Sequence, residues 1–290
     1  MPNFDKHKNF HANKTEPHIL CDMHTHSENS HDSACPISDM AEAQIKKGTA
    51  VFAVTDHYDG CYFDSRDIFS DIKNSVKDID RNIKKFDGQI EILKGIELGE
   101  PAWSPKDAAK ALELADFDVV IGSVHAVRYK DIKKPYSMID FSDFDEGFIY
   151  DYADVYFDEM IEMAETSDFD ILAHLTCPFR YINGKYGKNA DTMQFEDKIR
   201  RILSVIIERK IALEVNTSGL YLKNPIIMPD EKVLDIYRDM GGRLITIGSD
   251  AHAAENAASG IHYAEELLKR SGFLSVCIYR KRIPVLISLN

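Results

Sequence analysis

The chain has 290 residues, 44% of them hydrophobic, enough to bury one large α/β barrel or two ordinary domains. Its 35 Lys and Arg against 48 Asp and Glu leave a net charge of −13. That balance argues against nucleic acid as a general partner, since such affinity comes largely from Lys and Arg on phosphates. It also requires any anionic substrate to be met by metal ions or a few placed cations.

No apolar run approaches the roughly 20 residues that span a bilayer, so no membrane association is expected. The first eight residues hold no apolar segment of the secretory kind. Five cysteines, Cys21, Cys35, Cys61, Cys177 and Cys277, are odd in number and lack a CxxC spacing. They read as reduced, cytoplasmic thiols.

Residues 1–17 are polar, with Pro2 and Pro17, and read as an N-terminal arm that includes His7 and His11. From 18 to 290 one domain is expected. Short apolar runs recur at 19–24, 51–56, 90–96, 118–124, 169–174, 211–216 and 243–248. Helical periods fall between them near 38–48, 66–86, 104–115, 145–166, 194–210, 229–240 and 258–271. Ser38 is expected to cap the first helix and Gly48 to stop it; Ser104-Pro105 opens the third. Alternation of this kind predicts a parallel sheet, and seven units predict a closed or nearly closed barrel. The stretches 273–279 and 283–289, separated by Arg280-Lys281-Arg282, read as a terminal β-hairpin. The longest irregular connection, 128–147, is expected to have a functional role.

The His, Asp and Glu residues fall where these runs end. His24 and His26 close the first run, two residues apart and so on one side of a strand. Asp56 and His57 close the second, Glu97 follows the third, His125 closes the fourth and His174 the fifth. Glu214 and Asn216 close the sixth; Asp250 and His252 follow the seventh. Six of the eleven histidines lie at such ends. In a parallel barrel the strands' C-terminal ends share one face, so these groups are expected to converge. About nine imidazoles and carboxylates on one face need cations to be stable there. A mixed nitrogen and oxygen donor set suits Zn, Mn or Fe better than Ca.

The pattern His24-x-His26, Asp56-His57, Glu97, His125, His174 and Asp250-x-His252 resembles the polymerase and histidinol phosphatase (PHP) superfamily. Gly95-Ile-Glu-Leu-Gly-Glu100, Gly122-Ser-Val-His125, Glu214-Val-Asn-Thr-Ser-Gly219 and Gly248-Ser-Asp-Ala-His252 look like its histidinol-phosphatase branch. The resemblance spans about 19–289. It implies a distorted seven-stranded (β/α)7 TIM-like barrel, here with a C-terminal β-hairpin, binding three divalent transition-metal ions. It also implies the ligands. The first ion takes His24, His26, Glu97 and Asp250, and the second shares Glu97 and adds His125 and His174. The third takes His57, His252 and a residue after the first motif. Relatives often place a His six positions past the second His of the opening motif. This chain has Asp32 there and His31 one earlier; an ungapped match favours Asp32, with His31 then near the substrate. Another departure is Thr176, where relatives often carry Asp.

The implied activity is hydrolysis of a small phosphorylated substrate. L-histidinol phosphate would go to L-histidinol and phosphate in histidine biosynthesis, with a metal-bridging hydroxide attacking phosphorus in line. Arg180, six residues past His174, is the expected phosphate clamp because its planar fork matches phosphate; Arg128 and Lys223 are weaker candidates. Asp250 or His252 could relay protons, in competition with ligation. Tyr58, Tyr62, Trp103, Tyr181 and Tyr186 could stack on a flat head group such as imidazole. Glu100 could meet a substrate ammonium, and Asn216 and Ser249 complete the expected substrate contacts. The alternatives are a PHP phosphoesterase for a nucleotide or phosphotyrosine peptide, a metal-dependent amidohydrolase, and a non-catalytic metal-stabilised barrel. No GxxxxGK[ST], GxGxxG or Cys-x5-Arg loop supports another phosphate chemistry.

Overall fold

The structure, a computed structural model, describes residues 19–62, 66–132 and 134–289. The polar arm, with His7 and His11, lies outside the described residues. Seven parallel staves form the barrel wall, in the order β1 (Leu20–Asp22), β2 (Thr49–Val54), β4 (Glu91–Gly99), β5 (Val119–Ser123), β6 (Ile171–Leu172), β7 (Ala212–Asn216) and β8 (Ile245–Gly248). The second stave is broken. β2 pairs with the first half of β4, Val51 with Glu91 through Val54 with Lys94. The chain steps out at Thr55 and Asp56 and re-enters as β3 (His57–Asp59), which pairs with the second half of β4, His57 with Glu97. β1 and β8 nearly close the ring. The Met23 amide donates to Ile247 O at 2.9 Å and the Asp250 amide to His24 O at 2.8 Å.

Helices α1 (Ile37–Lys47), α2 (Ile68–Lys85), α3 (Pro105–Leu112) and α4 (Glu146–Thr166) cover the first half of the barrel. α5 is a single turn (Cys177–Phe179) that runs on as a wide π-type segment, Arg180–Lys185, and α6 (Glu196–Arg209), α7 (Glu231–Asp239) and α8 (Ile261–Arg270) follow. Local chemistry explains their starts. Asp67, Asp145 and Asp230 each accept an amide of the first turn, at 3.1, 2.8 and 3.2 Å. The expected Ser38 cap is not made. α1 begins one residue earlier behind Pro36, and the Ser38 hydroxyl donates to Asp39. Gly48 does stop that helix, at φ 81°. α4 is the largest buttress, burying Tyr152, Tyr156, Phe157, Met160 and Met163; each such side chain contributes about 1.5–3 kcal/mol by leaving water.

The hairpin, β9 (Ser275–Arg280) with β10 (Ile283–Ser288), is antiparallel and closes the end of the barrel where the strands start. The Arg282 amide donates to Asp118 O at 2.8 Å, just before β5, and the Tyr279 hydroxyl donates to Asp170 O at 3.0 Å, just before β6. Arg280 forks onto Glu91 at the head of β4. Asp118 is thus a hairpin anchor. No helix among the described residues is long and apolar enough to cross a membrane, and all five cysteines are free thiols.

Candidate metal centre

Two buried carboxylates shape the turn that follows β1. Asp22 accepts from the Ser249 amide (2.9 Å), the Ser249 hydroxyl (2.6 Å), Gln44 (2.6 Å) and the Ala258 amide (3.2 Å). This ties the first stave to the turn after the last. Asp56 accepts from the Ser27 amide and the hydroxyls of Ser27, Ser30 and Ser75, all within 2.8 Å. The expectation for Ser249 is therefore corrected. Its hydroxyl is spent on Asp22, inside the barrel, and it holds the Gly248–His252 turn rather than a substrate.

These anchors leave the imidazoles little choice of tautomer. His24 Nδ1 lies 2.7 Å from Glu214 Oε1, so that nitrogen carries the proton. His26 Nδ1 faces the Ser30 hydroxyl at 3.2 Å; that hydroxyl already donates to Asp56, so it accepts here. His125 Nδ1 donates to Asp59 Oδ1 at 3.0 Å and His252 Nδ1 to the Asp250 carbonyl at 2.9 Å. The Nε2 atoms are left turned inward on one another. His24 and His26 Nε2 are 3.1 Å apart, and His125 and His174 Nε2 are 3.4 Å apart.

The carboxylates sit among them. Glu97 is fully buried; Oε2 lies 3.3 Å from His24 Nε2 and 3.5 Å from His26 Nε2, while Oε1 lies 3.3 Å from His125 Nε2 and 3.1 Å from His174 Nε2. Asp250, in the left-handed region at φ 53°, brings Oδ1 within 3.8 and 3.4 Å of His24 and His26 Nε2. A third group forms beside the first: Asp32 Oδ1 is 3.6 Å from His57 Nε2 and Oδ2 is 3.1 Å from His252 Nε2. Asp32, not His31, stands between those two imidazoles. His31 lies beside them, its Nε2 3.9 Å from Asp32 Oδ2, and forms a compact donor set with Asp32 and His57.

Such a nest demands positive charge. Burial alone would push the His24 imidazole down, but Glu214, Glu97 and Asp250 outweigh it and hold its charged form well above the ordinary range. For His57, burial is outweighed by Asp59, Glu97 and Asp32, and for His125 by Glu97 and Asp59. His26, crowded by burial and by His252 and His57, goes the other way, to about 4. Burial would raise Glu97, yet His24, His125 and His57 draw its carboxyl well below its usual range. Both His57 nitrogens, Glu97 Oε2 and His174 Nδ1 are buried without a hydrogen-bond partner. Inward lone pairs, orphaned donors and acceptors and shared carboxylates fit divalent cations.

The pocket in front of the nest is walled by Arg180, Tyr181, Tyr62, His31 and the Pro135–Ser137 segment. Arg180 Nη1 lies 3.7 Å from Asp250 Oδ2, and its guanidinium sits over the Tyr181 ring. The 128–147 connection thus supplies part of the wall. Tyr136, anchored through its amide to His125 O at 2.9 Å, was not singled out by the sequence and had no signal of its own. Asp59 was also missed, although its i, i+2 spacing from His57 is the signal that pairs His24 with His26.

Several expected substrate contacts are corrected. Tyr58, between His57 and Asp59 on β3, points to the opposite face and is fully buried in the apolar core. Glu100 is buried and accepts the His125, Ala126 and Cys61 amides, so it braces the end of β5 rather than meeting an ammonium. Asn216 is fully buried; it donates to Glu214 (3.1 Å) and Asp250 (3.4 Å) and so orients carboxylates. Trp103 donates to Glu159, and the Tyr186 hydroxyl to Ile139 O. Arg128 is committed to Glu159 and Glu162.

Fold and site together define a parallel barrel with buried imidazoles and carboxylates, grouped as metal-donor sets, at its strand ends. The chain belongs to the PHP domain family, whose model matches residues 22–218. The match ends before Asp250 and His252. Among curated relatives, the probable histidinol-phosphatase of Thermotoga maritima is 28% identical over 264 residues, covering 91% of this chain and 97% of that one. The histidinol-phosphatase of Lactococcus lactis is 27% identical over 274 residues, covering 87% and 91%. A crystal structure of the L. lactis histidinol phosphate phosphatase, complexed with zinc, L-histidinol and phosphate, superposes with a TM-score of 0.78 at 22% identity, covering 93% of this chain and 100% of that one. That likeness is one of fold.

Proposed function

We propose that this protein is a metal-dependent phosphomonoesterase that hydrolyses L-histidinol phosphate to L-histidinol and phosphate. The observation that carries the reading is the inward-facing set of Nε2 lone pairs around Glu97, with Arg180 at its rim. The reading has three cation positions. The first is ringed by His24, His26, Glu97 and Asp250, the second by Glu97, His125 and His174, and the third by His57, His252 and Asp32. Divalent ions of the Zn, Mn or Fe kind would supply a water of lowered pKa, about 7, and charge neutralisation at phosphorus.

The chain's own groups do the rest. Glu97 presents one oxygen to each of the first two clusters and fixes their separation. Arg180 presents two or more N–H groups to phosphoryl oxygens, and its charge answers the net −13 that would otherwise repel the ester. Asp250 turns Oδ1 to His24 and His26, while Oδ2 lies 3.7 Å from Arg180 Nη1, so the cation sits directly beside the nest. Tyr62 and Tyr181, partly exposed in the pocket wall, are the aromatic rings beside this point, with the size and chemistry that suit an imidazole head group.

Relatives that match nearly end to end and bear the histidinol-phosphatase name support the choice of ester. The test is phosphate release from L-histidinol phosphate against a panel of nucleotide, phosphotyrosine and sugar monoesters, with Zn- or Mn-loaded protein. Preference for histidinol phosphate by a hundredfold or so in kcat/KM is the expected result. An even, slow panel would keep the phosphoesterase and remove the substrate.

A further inference from the structure

Asp59 occupies an unusual place. It is 3% exposed, and it sits on β3 in direct register with Gly99 of β4. Paired residues on neighbouring strands project to the same face. A side chain at position 99 would therefore fill the space the carboxylate uses. A Cβ built on Gly99 would lie 2.1 Å from Asp59 Oδ1 and 3.1 Å from His125 Nδ1. The missing side chain opens a notch, and the Asp59 carboxylate crosses β4 through it. On the far side Oδ1 accepts from His125 Nδ1 at 3.0 Å, an imidazole carried at the end of β5, two strands away. The same oxygen is 3.4 Å from His57 Nδ1, and Oδ2 is 3.6 Å from His31 Nδ1.

The barrel repeats this construction. On the other side of the nest Glu214 holds His24 Nδ1 at 2.7 Å, and a Cβ on Gly248 would lie 2.3 Å from Glu214 Oε1. Two inward-facing imidazoles from different clusters are thus each set by a carboxylate lodged in a glycine notch. Gly99 in the Gly95–Glu100 motif and Gly248 in the Gly248–His252 motif, unexplained by ligation, have the same use: each vacates the volume of a holding carboxylate.

We propose that Asp59, seated by Gly99, is a positioning residue that fixes the tautomer and tilt of His125 and thereby the affinity of the Glu97–His125–His174 cation position. The inference rests on the metal-centre reading above and adds a determinant to it. Removing the group that holds a ligating imidazole costs roughly 10- to 100-fold in metal affinity.

The experiment is Zn2+ titration of chelator-stripped full-length protein against a chromophoric competitor, for wild type, Asp59→Ala, Asp59→Asn, Asp59→Leu and Gly99→Ala. Thermal unfolding of each stripped protein checks the fold. Asp59→Ala is expected to weaken one class of Zn2+ by roughly 10- to 100-fold and to leave the tightest remaining class unchanged. Asp59→Asn, which keeps the volume and a carbonyl oxygen for the Nδ1 proton, recovers most of that loss, whereas Asp59→Leu, which fills the notch without an acceptor, does not; a role in mere filling would be met by both. Gly99→Ala reproduces Asp59→Ala by evicting the carboxylate. Zn2+ binding by Asp59→Ala within twofold of wild type, equal loss in Asn and Ala, or equal recovery by Asn and Leu overturns the inference while leaving the metal centre standing. Wild-type protein that takes up no Zn2+ would overturn both.

Discussion

The Nε2 atoms of His24 and His26 face each other across 3.1 Å, while their Nδ1 atoms are engaged by Glu214 and Ser30. Two neutral imidazoles in these tautomers present lone pair to lone pair, which is repulsive in a dry interior. Either protons or a cation must stand between them.

The first consequence is thermal. Metal removal should leave the nest held by protons alone, and return of Zn2+ or Mn2+ should stabilise the folded chain by about 4 kcal/mol at a thousandfold excess over Kd. Differential scanning calorimetry of stripped and reloaded protein checks this. An unfolding temperature indifferent to metal would contradict the centre.

Proton release gives the second. Carboxylates outweigh burial at His24, His57 and His125 and hold the metal-free imidazoles charged above the ordinary value near 6.5. Binding a cation must expel those protons. Because the metal-free values are raised, competition extends to pH above 6.5, and affinity should climb with pH through that window rather than level off at it. Calorimetric titration in two buffers of different ionisation enthalpy measures the protons released per ion. No buffer dependence at pH 7 would count against the charged nest.

Arg180 is the third case. Its Nη1 sits 3.7 Å from Asp250, outside hydrogen-bond range, so its N–H groups remain directed to the pocket. Arg180→Ala should raise KM for the phosphate ester by roughly tenfold to a hundredfold, with metal content unchanged. Arg180→Lys should recover little, because a point charge does not reproduce a fork. Equal loss of metal would show that Arg180 holds Asp250 and not phosphate.

The hairpin supplies a contrasting control. Arg282 forks onto Asp168 at 2.9 and 2.8 Å and lies 3.0 Å from Asp170 Oδ2, a carboxylate that also accepts the Val120 amide. Arg282→Ala leaves Asp170 without its cation at the strand-start end. Chemical denaturation should show a loss of about 1–3 kcal/mol, and kcat should be unchanged because the site is at the other end of the barrel. A matching fall in kcat would mean that the two ends are coupled.

The sequence by itself determined the number of staves and the placement of His24, His26, His57, Glu97, His125, His174, Asp250 and His252, because strand alternation and the barrel's shared rim follow from local periodicity. It also placed the hairpin and most helix limits. What only the tertiary structure decided is which neighbours those side chains meet. Tyr58, Glu100, Asn216 and Ser249 sit beside ligands in the chain, yet the break between β2 and β3 and the bonds to Asp22, Glu214 and the His125 amide turn them inward as supports. Asp32 rather than His31 stands between His57 and His252 because the turn after β1 is pinned by Asp56. Asp59 reaches His125 only because Gly99 is across from it. These contacts join residues far apart in the chain, 66 positions for Asp59 and His125 and 227 for Asp22 and Ser249. Packing between strands, not periodicity along one, sets them.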